Sequence, residues 1–304
     1  MLTLALAEAR QNHSEDRLTL LDATRSRRDG VVVARPSRAV PSGREPGVLR
    51  SLGVGAGTRR IACACYSTCV SSTEAARLDN PVYAALSGAH ARFAQVCGRA
   101  LRYPADVAPF FALPSEPSRG DWRSAIEVVP PGSYAAIVHA GADVPETWKT
   151  LQEFEAVQMI GEHVNGIDAP GATPLCADDV PEMLELVRQT DPGPFLDRTI
   201  DLGDYVGVRC GNQLVAMAGE RLHFDGWTEI SAVCTAPTHR GHGMASRLVG
   251  ALIAGIQRRS ERAFLHVLTT NTNAIRLYEA LGFRVRRTLT ISVLTPEVMP
   301  SQER

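Results

Sequence analysis

From about Leu78 onward, apolar and polar positions follow periods that mark out a series of predicted elements. Asp79-Asn80-Pro81 starts a helix with proline at the first helical position. Val82, Ala85, Leu86, Ala89, Phe93 and Val96 then recur at helical spacing and predict one continuous buried face. Residues 133–139 read as a buried strand, and residues 152–160 as another edge of the same sheet. Asp178 and Asp179 begin a second helix through Met183, Leu184, Leu186 and Val187, which Asp191-Pro192-Gly193-Pro194 breaks. Residues 205–208 and 214–218 form a hairpin around Gly211-Asn212. A strand over 227–235 leads through a Gly-rich turn into a helix with Leu248, Val249, Leu252, Ile253 and Ile256 on one face. A strand over 263–268, a short helix over 273–281 stopped by Gly282, and a last strand complete the pattern. This order predicts an α/β (α+β) chain whose sheet is mixed, mostly antiparallel, and flanked by helices.

The first 70 residues depart from that regularity. They hold 11 Arg against 6 acidic side chains, with scattered Pro, Gly and Ser and no sustained apolar period. We read residues 1–72 as a disordered or mis-annotated N-terminal extension, since such a segment buries too little apolar surface to offset its ordering entropy. The whole chain of 304 residues carries a net charge of −1. That balance argues against nucleic acid or an anionic membrane as partner. No apolar run approaches the ~20 residues of a membrane span, and the start is a poor signal peptide. The expected location is cytoplasmic. Seven irregularly spaced cysteines do not form a disulfide framework, and no His, Asp or Cys spacing marks a metal site. The closest approach to one, Cys63, Cys65 and Cys69, lacks a partnering His.

The chemistry concentrates in the turn Arg240-Gly241-His242-Gly243-Met244-Ala245. Small residues let the backbone approach a ligand, the first amides of the following helix lack intrahelical partners, and Arg240 adds a planar fork of donors. A pyrophosphate cradle fits these features. A Walker-type loop is excluded, because the only lysine is Lys149. A dinucleotide fingerprint, Gly241-x-Gly243-x-x-Ser246, has too little chain downstream for a doubly wound domain. An unliganded Gly-rich helix start is the bland alternative.

The strand, the Arg-x-x-Gly-x-Ala turn, its helix, the next strand, and then Asn273-x-x-Ala-x-x-Leu-Tyr278-x-x-x-Gly-Phe resemble the GNAT superfamily of N-acetyltransferases. Within it they look most like the glycine N-acyltransferase-like subgroup, over roughly residues 172 to 295. The resemblance implies a GNAT fold in which residues 172–304 form the catalytic domain and residues 75–165 a degenerate GNAT-like half. It implies acetyl-CoA as co-substrate, no metal, and direct acetyl transfer to a primary amine of a small molecule or amino acid. A non-catalytic acyl-CoA-binding regulatory protein is the alternative. Val233, Cys234 and Thr235 are then expected along the pantetheine arm, with Arg240, Gly241, His242, Gly243, Met244 and Ala245 around the phosphates. Asn273 would touch the coenzyme arm and Tyr278 would protonate the departing sulfur. Glu229, eleven residues before Arg240, is the expected general base. Alternation would put it on one face with Ser231 and Val233. A structural ion pair with Arg221 is the competing role for Glu229. For His266, a satisfied core histidine is the expected role.

Overall fold

The computed structural model describes residues 71–141 and 143–297. The expectations for the leader and for Cys63, Cys65 and Cys69 lie outside the described residues.

The chain begins with α1 (Ser72–Asp79), closed at its start by a reciprocal capping box between Ser71 and Glu74. Next comes α2 (Pro81–Leu86). The predicted long helix stops there. The Ser87 hydroxyl returns to the Tyr83 carbonyl at 2.6 Å, Gly88 follows, and His90 turns inward to meet the Tyr103 hydroxyl at 2.7 Å. Phe93 falls in a single 3-10 turn, and Val96 in strand β1 (Gln95–Cys97) is exposed, so the proposed apolar face ends at Leu86. Strands β1, β2 (Ala100–Arg102) and β3 (Phe111–Ala112) make a small antiparallel sheet beside α3 (Arg119–Val128).

The remaining strands form one eight-stranded sheet. They are β4 (Ala135–His139), β5 (Trp148–Gly161), β6 (Thr173–Pro174), β7 (Tyr205–Cys210), β8 (Gln213–Phe224), β9 (Trp227–Thr235), β10 (Arg262–Leu268) and β11 (Arg284–Pro296). Their order is β4-β11-β5-β10-β9-β8-β7-β6, and only β9 and β10 run parallel. Strand β5, expected at an edge, lies in the interior between β10 and β11. Its half from Ala156 to Gly161 is buried throughout, as a strand paired on both sides and covered on both faces must be. The sheet therefore draws strands from both portions of the chain.

Helices cover both faces. Helix α5 (Met244–Arg258) buries Leu248, Val249, Leu252, Ile253 and Ile256, and with α6 (Thr272–Ala280) packs on Ile230, Leu265 and Val267. Helix α4 (Val180–Thr190) and the N-terminal portion occupy the other face, against residues such as Met217, Leu222 and Phe264.

Candidate active site

Strands β9 and β10 pair only from Arg262↔Trp227 to Phe264↔Glu229. Beyond that point β10 stays with β5 and β9 stays with β8, so a wedge opens between them. The local cause lies in β9. Ala232 has φ +52°, and the β8–β9 register shifts across it, the signature of a bulge that bends the strand. The bulge also changes faces. Glu229 shares its face with Trp227, whereas Val233 packs with Ile230 toward α5, so alternation does not extend from Ser231 to Val233.

A cleft of about 790 Å³ fills the wedge and runs through the sheet. Ile230 to Thr235 form one wall and His266 to Leu268 the other. At one end lie Arg240, Gly241, Gly243, Met244 and Ala245. Gly241 and Gly243 have φ of +83° and +68°, and a Cβ at either would meet nothing within 4 Å. Their glycine character thus answers to backbone conformation and leaves the surface open to a ligand. No side chain caps the start of α5, so its first-turn amides are available to an anion. Arg240 is anchored through Nε to the Thr235 carbonyl at 3.2 Å. His242 is not in the cleft lining, and its Nδ1 lies 3.2 Å from the His239 carbonyl.

Val233, Cys234, Thr235, Asn273 and Tyr278 all line the cleft. Burial pushes the Cys234 thiol up to about 11, so it is protonated at neutral pH and is a poor nucleophile. Burial also raises the Tyr278 hydroxyl well above the usual phenol range and keeps it a proton donor. Asn271 caps α6 by accepting from the Ala274 amide at 3.2 Å. Thr190 to Pro194 also line the cleft, while Phe195 is buried against Tyr205.

Glu229 is fully buried behind the cleft wall. Its Oε2 accepts from Arg221 Nε at 2.9 Å, and its Oε1 accepts from Arg221 Nη2 at 2.6 Å. Oε1 also meets His266 Nδ1 at 2.7 Å. Burial alone would raise this carboxyl, but the Arg221 charge and the hydrogen bonds from Arg221 and His266 outweigh it and hold it down to about 2. The row continues sideways. Gln158 Oε1 accepts from Arg286 Nη1 at 2.9 Å, which makes Gln158 Nε2 the donor to the Leu78 carbonyl at 2.7 Å and to His266 Nε2 at 3.1 Å. His266 is thereby fixed with its proton on Nδ1. Arg221 and His266 face the cleft, and Glu229 braces both from behind. Among the described residues, no group of three His, Cys, Asp or Glu side chains is placed to hold a metal.

The FR47-like protein family matches residues 205–291, from β7 into β11. A crystal structure described as a member of the GNAT family, from Novosphingobium aromaticivorans DSM 12444, is 34% identical. The match covers 73% of this chain and 99% of that one, with a TM-score of 0.67. Protein ML0378 of Mycobacterium leprae is 31% identical over a shared region, and the chain spans 38% of that relative's length. The chain belongs to the GNAT family of acetyltransferases, enzymes that use acetyl-CoA as co-substrate.

Proposed function

We propose that this protein is an acetyl-CoA-dependent N-acetyltransferase that moves an acetyl group directly to a primary amine of a small molecule or amino acid. The observation that carries this reading is the wedge between β9 and β10, which opens straight onto the uncapped start of α5. Arg240, the open glycine backbone and the first amides of α5 would hold the phosphates, and Asn273 the coenzyme arm. The bound thioester supplies an acyl carbon open to attack by a neutral amine.

The chain's own groups account for the rest. Beyond Glu229, the edge of β9 turned toward β10 has no strand paired to it, so its amides can face a carbonyl oxygen as charge develops there. Tyr278 donates a proton to the departing sulfur. Glu229, held near 2 and set behind the wall, is a weak base. We assign it the role of positioning Arg221 and His266. The amine then arrives neutral because the buried apolar walls disfavour its ammonium form. As the C–S bond breaks, the proton that the amine nitrogen loses replaces the one Tyr278 gives to sulfur, so that amine and thioester become amide and thiol. Residues 75–165 act as a non-catalytic half, as in the glycine N-acyltransferase-like subgroup, and complete the sheet. No helix among the described residues is long and apolar enough to cross a membrane, and we place the enzyme in the cytoplasm.

The test is release of free thiol from acetyl-CoA with a panel of primary amines, followed by identification of the acetylated product. Tight coenzyme binding with no thiol release from any amine would favour a regulatory acyl-CoA-binding protein instead.

A further inference from the structure

The end of the cleft farthest from the phosphate turn is built by the N-terminal portion together with β5, β8 and β11. Val82, Phe110, Val138, Ala156, Leu222 and Ile291 line it, and all six belong to the core on the sheet face opposite α5 and α6. The coenzyme cradle and Tyr278 sit with α5 and α6. A molecule in this chamber therefore meets the thioester through the wedge, from the other side of the sheet.

Arg221, Ser231 and His266, polar side chains of the sheet, line the same cleft. The guanidinium charge is already matched by Glu229 through two hydrogen bonds, and its carbon lies 5.2 Å from the centre of the Phe110 ring. The His266 ring is committed at both nitrogens, to Glu229 and to Gln158. Arg221 and His266 thus add no unmatched charge to the apolar walls, and the Ser231 hydroxyl is the small polar group beside them. A second ammonium or a carboxylate at the far end of an acceptor would lose water there without gaining a counter-charge, and a hydroxyl would gain at most one hydrogen bond, to Ser231.

We propose that this chamber is the acceptor site and that it selects primary amines with an apolar body, the N-terminal portion setting that specificity through Phe110. The proposal rests on the transferase reading and names its substrate class. Phe110 is the sharpest determinant because it is fixed on both sides. The Tyr103 amide donates to its carbonyl at 3.0 Å, and it bridges to Ala136 of β4.

The experiment compares butylamine with 3-amino-1-propanol, which differ mainly in a terminal methyl against a hydroxyl, using the full chain and acetyl-CoA. The expected result is a kcat/KM at least about tenfold higher for butylamine. Phe110→Ala should lower the butylamine value by about tenfold while leaving the KM for acetyl-CoA unchanged. Ile291→Val, a milder change in the same wall, should move it in the same direction if the alanine variant does not fold. Calorimetric titration of both amines onto the acetyl-CoA-saturated protein reads the chamber without turnover. Preferential binding of butylamine with no thiol release would uphold the chamber and defeat the transferase reading. Equal rates for the two amines would overturn the chamber. So would a Phe110→Ala variant whose preference shifts among acyl-CoA chain lengths and not among amines, which would make the chamber an acyl pocket.

Discussion

At the scale of single residues, Glu229 is the position where a strand pattern is least informative about role. A carboxylate in a buried central strand needs a partner, and here it has two. If it braces Arg221 and His266, Glu229→Gln leaves a buried guanidinium without its counter-charge and should cost about 3–5 kcal/mol of stability. Turnover should fall, and by the same factor at pH 7 and pH 9. A general base would instead give a loss that shrinks as pH rises, because the amine then deprotonates without help. Thermal melts and pH–rate profiles of the variant distinguish the two. The acid side offers a second check. The folded carboxyl sits at about 2, below its ordinary 4.5, so its stabilising contribution is complete above 4.5 and is lost as pH falls through about 2. A wild-type melt that loses stability over that acid range more steeply than Glu229→Gln would show this linkage. For Tyr278, replacement by Phe should lower kcat by about 10²-fold with little change in the KM for acetyl-CoA. An unchanged kcat would leave Tyr278 as a packed aromatic.

At the scale of elements, what the sequence made legible was local. The Arg240 turn, the hairpin at Gly211 and the face of α5 each depend on residues a few positions apart, and the structure has all three in place. The Arg221–Glu229 pair was legible from neighbouring strands, but the rest of the row was not, because His266 and Gln158 come from β10 and β5 and only the sheet order makes them neighbours. Nothing in the side chains around Ala232 announces a positive φ, yet that bulge opens the wedge and switches Val233 to the other face. His266 looked like a core histidine, and its hydrogen bonds are those of one; its place on the cleft wall depends on where β9 and β10 part. The cradle itself yields a prediction of affinity. Arg240→Ala should remove a charge-assisted contact and raise the acetyl-CoA Kd by the equivalent of about 1.5–3 kcal/mol. Gly243→Val should be worse, since it adds strain at φ +68° and fills space that is open in the protein. Both effects should appear in direct binding of the coenzyme and leave the acceptor KM nearly unchanged. Normal coenzyme affinity in both variants would remove the phosphates from this turn.

At the scale of the whole molecule, the sheet argues that residues 172–297 do not make an independent catalytic unit. The sequence suggested two halves in succession, but β5 from the first lies between β10 and β11 of the second and pairs with both. Removing it leaves two strands of the second half with unpaired inner edges. It also uncovers the core face that Leu222, Phe264 and Ile291 share with Val82 and Phe110. Repair within the remaining chain would require β10 and β11 to close a full strand's width. A fragment spanning 172–297 should therefore be insoluble or bind acetyl-CoA poorly, even though it retains the whole phosphate turn and Tyr278. Adding residues 71–165 as a separate chain during expression should restore soluble protein, since β5 docks through backbone pairing and apolar contact and needs no covalent link to do so. The measurements are circular dichroism melts and coenzyme titration of the fragment alone and of the paired chains. A fragment that melts cooperatively by itself and binds acetyl-CoA as the full chain does would mean that β10 and β11 can join directly. In that case the N-terminal portion is an addition to the catalytic sheet and not a part of it.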